Sequence, residues 1–324
     1  MSYSRPWKSF EEQLAMLKCR GMVVSDEAKA INYLERLGYY RLSGYWYPFR
    51  EIVFRKQESG KISYQRLDNF VAGTQFQDAV RLYVYDKQLR LLASDALERI
   101  EVAIRTGIAH LLGERDTFAY QNPALFNTRF VEVKPGVSAS RHQQWLSKFE
   151  TSLSRSKEEF VKHYRQKHGL PLPIWVAVET WDFGMFSILY SGMQYKDQQA
   201  IASKFGISEP VVFASWLRSL NYIRNICAHH SRLWNRNVVD QPKLSKAGDV
   251  LELDCFRDKQ ELIARPFLIF CIMQHLLNRI CPNSHWNERF KQLVREFPEI
   301  GAGGGVCAGN MGLIEGWEQW ALWQ

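Results

Sequence analysis

Arginine, asparagine and histidine meet within six residues at Arg224, Asn225 and His229, inside LRSLNYIRNICAHHSRLWNR (217–236). Histidine moves protons near neutral pH, arginine sets a permanent positive charge against a phosphate, and asparagine orients a neighbour through its amide. These are the needs of metal-free phosphodiester cleavage, in which a proton is carried and a charged phosphorane stabilised. The bare spacing is weak, because eight histidines in an arginine-rich chain give about two Arg-x(4–6)-His matches by chance. Arg105 to His110 and Arg279 to His285 are such matches. Thr106 follows the first arginine and Pro282 interrupts the second, so neither has the asparagine step.

Read as a helix, this stretch has two stripes. Trp216, Leu220, Ile223, Cys227, His230 and Trp234 fall on one side, and Arg218, Asn221, Asn225, His229, Arg232 and Arg236 on the other. No Asp or Glu lies between Arg218 and Arg236, so the wet face is cationic and suits a polyanion. Arg224 lies around the helix from His229 and must reach with its long side chain, which predicts a site completed by a second helix. His230 takes the apolar phase and reads as a core histidine. Neighbouring histidines point about 100° apart on a helix and no acid stands close by, so neither a metal nor a cofactor is expected.

The supporting elements are mostly helical. Ser208 and Glu209-Pro210 open the helix that carries the Arg-His unit to about Trp234. Thr74-x-x-Gln77 has the form of a capping box, and the apolar rhythm through Val80, Val84, Leu91, Ile100, Ile104 and Leu111 predicts one helix of about ten turns ending at Gly113. On it Glu98, Glu101 and Arg105 share a face, as a surface ion pair or as residues lining the site. Phe10–Lys18 and Asp26–Leu37 are shorter helices, the second stopped by Gly38.

Residues 39–72 read as a hairpin around Ser59-Gly60 or a structured loop, whose rings and cations (Tyr39-Tyr40-Arg41, Tyr45 to Arg50) fit core packing or RNA stacking. A long loop at 114–140 precedes a charged helix or helix pair, Arg141 to His168, and Pro171-Leu-Pro173 opens another helix. After a loop at 237–256, helices are predicted at Asp258–Ile280, bent or begun near Pro266, and Ser284–Glu296. GAGGGVCAGNMG is flexible by composition, and GWEQWALW should dock its tryptophans on the body.

Hydrophobic residues at 46% and aromatic ones at 14% exclude a disordered chain, while a net charge of +8 favours an acidic partner such as nucleic acid. Six cysteines without a Cys-x-x-Cys pair indicate neither a zinc site nor a disulfide framework. No apolar run reaches the roughly 18 residues of a membrane span, so a cytoplasmic chain is expected.

The Arg-Asn-x-x-x-His unit resembles the signature of HEPN-domain ribonucleases. Its setting resembles the AbiD/AbiF abortive-infection family of bacterial phage-defence proteins, through NYLERLGYYRLSGYWYPFR, YVYDKQLRLLASDALERIEVAIR, IWVAVETWDFGMFS and FGIS…WLRSLNYIRNICAHHSRLWNR. The resemblance implies a mainly α fold: an N-terminal helical and aromatic extension (1–73), an elaborated HEPN bundle with insertions (74–300), and a Gly-rich tail with a Trp-rich end (301–324). It implies a metal-independent endoribonuclease toxin, with His229 as proton carrier, Arg224 as phosphate clamp and Asn225 as orienting residue. Arg218, Asn221, Arg232 and Arg236 would contact RNA, and Glu98, Glu101 and Arg105 could support the site. One good motif copy implies a homodimer, and a small non-coding RNA that restrains activity is a further partner of some relatives. The alternative function is a non-catalytic protein holding a structured RNA on the same basic face.

Overall fold

The computed structural model describes residues 6–56, 62–301 and 305–324. The chain is mainly α-helical, with one two-stranded antiparallel sheet. Helices α1 (Phe10–Cys19), α2 (Glu27–Leu37) and α3 (Tyr39–Trp46) lead into strands β1 (Arg50–Lys56) and β2 (Ile62–Phe70). The residues 39–72 are thus a helix and a hairpin; the Ser59-Gly60 turn lies outside the described residues. Tyr45, Trp46 and Phe49 are core, whereas Tyr40 is 91% exposed, so the aromatic run divides between packing and surface.

The spine is α4 (Phe76–Gly113, 38 residues). Leu82, Tyr85, Leu89, Ala93, Ala96, Ile100, Ile104 and Ile108 recur every three or four positions, all buried. Each large aliphatic so buried contributes about 1.5–3 kcal/mol. The capping box at its start does not form. Thr74 donates its hydroxyl to the Val71 carbonyl, and the Phe76 amide donates instead to the Val23 carbonyl at 2.9 Å. A neighbouring chain segment thus supplies the acceptor that a capping side chain would have given.

Short α5 (Thr128–Val131) is followed by the expected charged pair, α6 (Arg141–Arg155) and α7 (Glu159–His168), then by α8 (Ile174–Ala177), α9 (Phe183–Gly192), α10 (Tyr195–Lys204) and α11 (Pro210–Ala228). Short α12 (Gln260–Ile263), α13 (Pro266–Ile280) and α14 (Trp286–Arg295) complete the bundle, with α3, α11, α13 and α14 packed on α4. Proline at the first position of α13 begins the helix rather than bending it. Trp317 and Trp323 are buried against Phe267 and Phe290, so the C-terminal tryptophans dock as expected. Of GAGGGVCAGNMG (301–312), residues 302–304 lie outside the described residues, whereas the remainder is not a loose linker: Ala308–Met311 form a short 3-10 turn and Met311 is buried. One continuous core extends from Leu14 to Trp323, with contributions from both sides of residues 73/74 and 300/301. No helix among the described residues is long and apolar enough to cross a membrane.

Candidate functional site

Helix α11 begins with Pro210 at its first position and buries Trp216, Leu217, Leu220, Ile223 and Cys227, leaving Arg218, Asn225 and His229 exposed and Asn221 and Arg224 half-buried. Its end corrects the sequence reading, which carried the helix to Trp234. The helix stops at Ala228, with His229 as C-cap and His230 left-handed at φ 56°. The Ser231 amide bonds the Ile226 carbonyl (2.9 Å) and the His230 amide the Cys227 carbonyl (3.0 Å), the paired bonds of a Schellman motif. His230 is therefore exposed, not a core residue, because helical phase has no meaning past the cap. The buried histidines are His142 on α6 and His275 on α13; the His275 Nε2 lies 2.8 Å from the Phe205 carbonyl, and burial pulls its pKa down to about 4.

Glycine normally takes the left-handed position of such a cap. His230→Gly should therefore leave the melting temperature level or raise it, while His230→Val should cost about 1–2 kcal/mol, because branching at Cβ crowds the left-handed backbone more than the unbranched histidine does. A glycine variant less stable than the valine variant in thermal unfolding would refute the left-handed assignment.

Beyond the cap the chain turns along α3 and α4. The buried Asp86 carboxylate accepts from the Leu233 amide (3.0 Å), the Trp234 amide (2.6 Å) and the Tyr45 hydroxyl (2.7 Å), and it pairs with Arg90. Burial pushes the Asp86 pKa up, against the pull of Arg90, the Tyr45 hydroxyl and the two amides. Arg41 donates to the His230 carbonyl at 2.6 Å, and Arg232 donates to the Gly44 carbonyl. Arg232 thus points into the protein, where burial lowers its pKa. Arg236 donates to the Tyr222 hydroxyl at 3.0 Å. Neither lies on the helix face that holds Arg218, Asn221 and Asn225.

The acids of α4 meet the motif helix. Glu101 and Arg105 form a 3.7 Å ion pair with side chains only 16% and 14% exposed, so the pair is turned inward rather than a surface pair. Burial pushes the Glu101 pKa up, Arg105 and then Arg224 pull it down, and Asp182 and Glu98 oppose them. Arg224 thus has Glu101 as a partly buried counter-charge. Arg105 also donates to the Trp181 carbonyl at 3.0 Å. Asp182 caps α9 by accepting from the Met185 amide at 2.7 Å. A Cβ at Gly184 would lie 3.2 Å from the Asp182 carboxylate and 3.6 Å from the Asn221 amide nitrogen, so that glycine keeps space where α9 meets α11. Glu98 is exposed.

Among the described residues, the side chains of Arg218, Arg224, Asn225 and His229 carry no hydrogen bond to another residue, and no group of three His, Cys, Asp or Glu is placed to hold a metal. Sequence reasoning missed Asp86 and Asp182, and read Arg41 only as a cation within an aromatic run, not as a partner of the turn after α11. Asp86 had a signal, since it stands in the apolar phase of α4 four residues before Arg90.

The Abi-like protein family model matches residues 32–235, well over half of the chain. This chain belongs to the Abi-like family. That span runs from α2 through the Schellman turn to Asn235, taking in Asp86, Glu101, Asp182 and the Arg-Asn-x-x-x-His unit. Membership associates the chain with abortive infection, a form of phage defence. No curated protein and no solved structure matches it.

Proposed function

We propose that this Abi-like chain is a metal-independent endoribonuclease of the HEPN type, acting as a toxin inside the bacterial cytoplasm. The observation that carries the reading is the presence of two unbonded groups near the end of α11: an exposed imidazole at His229, and the half-buried Arg224 guanidinium, whose charge pulls down the Glu101 pKa. The 2′-oxygen of RNA attacks phosphorus as its proton passes to the neutral His229 imidazole. Arg224 stabilises the charge on the phosphorane and Asn225 orients the phosphate or the imidazole. The bond from phosphorus to the 5′-oxygen then breaks as that oxygen takes the proton back from the His229 imidazolium, leaving a 2′,3′-cyclic phosphate and a 5′-OH. Arg218 and Asn221 flank the scissile position. Glu101, itself paired with Arg105, offers Arg224 a counter-charge.

Arg224 and His229 are five residues apart, about 140° around a helix, so two copies of α11 facing each other across a two-fold axis bring the arginine of one to the histidine of the other. This is the ground for a homodimer. The purified chain should cleave end-labelled single-stranded RNA in excess EDTA and leave cyclic phosphate ends. Products bearing 3′-OH, or activity that vanishes with EDTA and returns with magnesium, would overturn the reading.

A further inference from the structure

The positive charge of the chain is concentrated. Residues 141–168 hold seven lysines and arginines against three glutamates, a net of +4, half of the +8 of the entire sequence. Helix α6 is fixed at its start by a capping box between Ser140 and Gln143, and it buries His142, Trp145, Phe149 and Leu153. The opposite side is wet: Arg141, Lys148 and Arg155 are all exposed. Their seven-residue spacing sets them on one stripe, about 10 Å from each to the next.

Beside this stripe, between α6, the start of α7 and the turn at 178–180, lies an open cleft of about 1120 Å³. Lys148, Arg155, Thr151 and Ser152 form its α6 wall, and half-buried Phe160 stands within it. Its acids, Glu158 and Glu179, restrict phosphates to the α6 side. The cleft adjoins the Arg224 cluster. Lys148 lies 3.1 Å from the Asp182 carboxylate, and Arg105 donates to the Glu179 carbonyl at 3.5 Å.

We propose that this cleft is a track for the sugar-phosphate backbone of single-stranded RNA leading away from the Arg224 site; only the direction of the strand rests on the ribonuclease reading. Lys148, Arg155 and Arg141 meet successive stretches of backbone, and the Thr151 and Ser152 hydroxyls meet phosphate oxygens or the 2′-OH. Phe160 offers a ring to a base that has left its stack, which a duplex does not present. The track makes the substrate a single-stranded segment several nucleotides long rather than an isolated scissile dinucleotide.

The test uses the full-length His229→Ala chain, so that RNA survives, and compares it with the same chain also carrying Arg141→Glu and Arg155→Glu, which spares the Lys148–Asp182 pair. Binding of a fluorescent oligouridylate of about twelve nucleotides is read by anisotropy from about 50 to 200 mM salt. Each lost phosphate contact removes about 0.7 from the salt slope, so two remove about 1.4, a sevenfold change in affinity across that range. An unchanged slope overturns the track, as does lost binding to phosphatidylserine vesicles with RNA binding intact, which marks a membrane surface instead. Photocrosslinking of 4-thiouridine RNA to the chain with the native track gives a second readout free of any folding defect. Crosslinked peptides should fall within 141–168, and their absence there overturns the proposal. Cleavage by the wild type with an unchanged slope keeps the ribonuclease reading and removes the track. A lost slope in a chain whose wild type never cleaves RNA does the reverse.

Discussion

His229→Ala is expected to lower RNA cleavage by about 10²- to 10⁴-fold, the range of a general acid–base group, while changing stability by less than about 0.5 kcal/mol. Both halves follow from its position. The imidazole is exposed at the end of α11 and bonded to no described residue, so truncation leaves neither a cavity nor an orphaned partner. Arg224→Ala should be as inactive. In the proposed dimer, mixing the two inactive chains restores one intact site in each mixed pair, so part of the activity returns. A mixture as inactive as its components would show that each site takes both residues from one chain. An active protein that light scattering finds strictly monomeric would remove the dimer altogether.

Asp86→Ala should have the largest effect on stability, about 3–5 kcal/mol, the cost of removing one partner of a buried ion pair. Arg90, 5% exposed, would be left without its counter-charge. The Leu233 and Trp234 amides and the Tyr45 hydroxyl would lose their acceptor together. Urea unfolding measures the loss. A variant within about 1 kcal/mol of wild type, the ordinary cost of a substitution, would show that water replaces the carboxylate and that the site has no anchor there. RNA cleavage should fall with Asp86→Ala even in protein that remains folded, because the turn following His229 is no longer tied to α4.

The contrast between these two residues shows what the sequence made legible. Apolar periodicity predicts the extent of α4 to its last glycine and the burial of Trp216, Leu220, Ile223 and Cys227 on α11, because burial at every third or fourth position is written in residue type; it also takes in Val84 and Leu91, which are exposed, and leaves out Leu217 and Ile226, which are buried. It fails at the helix end, since the usual punctuation, a glycine at the left-handed position, is replaced by His230. Phase arithmetic then continued past the true cap, put His230 in the core and set Arg232 and Arg236 on the wrong face. The capping box at Thr74 failed for a related reason: the competing acceptor was the Val23 carbonyl, some fifty residues away in the chain. The Glu101–Arg105 spacing was plain, but its burial against Arg224 and Asp182 depends on how α4, α9 and α11 pack, which no single segment encodes. Arg224, Asn225 and His229 were legible as a chemical unit because three residue types in a short space suffice to describe it.

The bonds around the Schellman turn also bear on when a newly made chain acquires a defined His229. Arg41 and Gly44 reach across 189 and 188 residues to His230 and Arg232, and Asp86 across 147 to Leu233. During synthesis α3 and the first half of α4 leave the ribosome long before their partners exist, and contacts so distant in sequence form only after the loop between them has closed. A nascent chain that has reached His229 but not Leu233, or a proteolytic fragment lacking α3 and the first half of α4, carries the whole Arg-Asn-x-x-x-His unit without the clasp that fixes the residue after it. Such incomplete copies hold the motif but not the clasp, and under the proposed ribonuclease reading they should not cleave RNA.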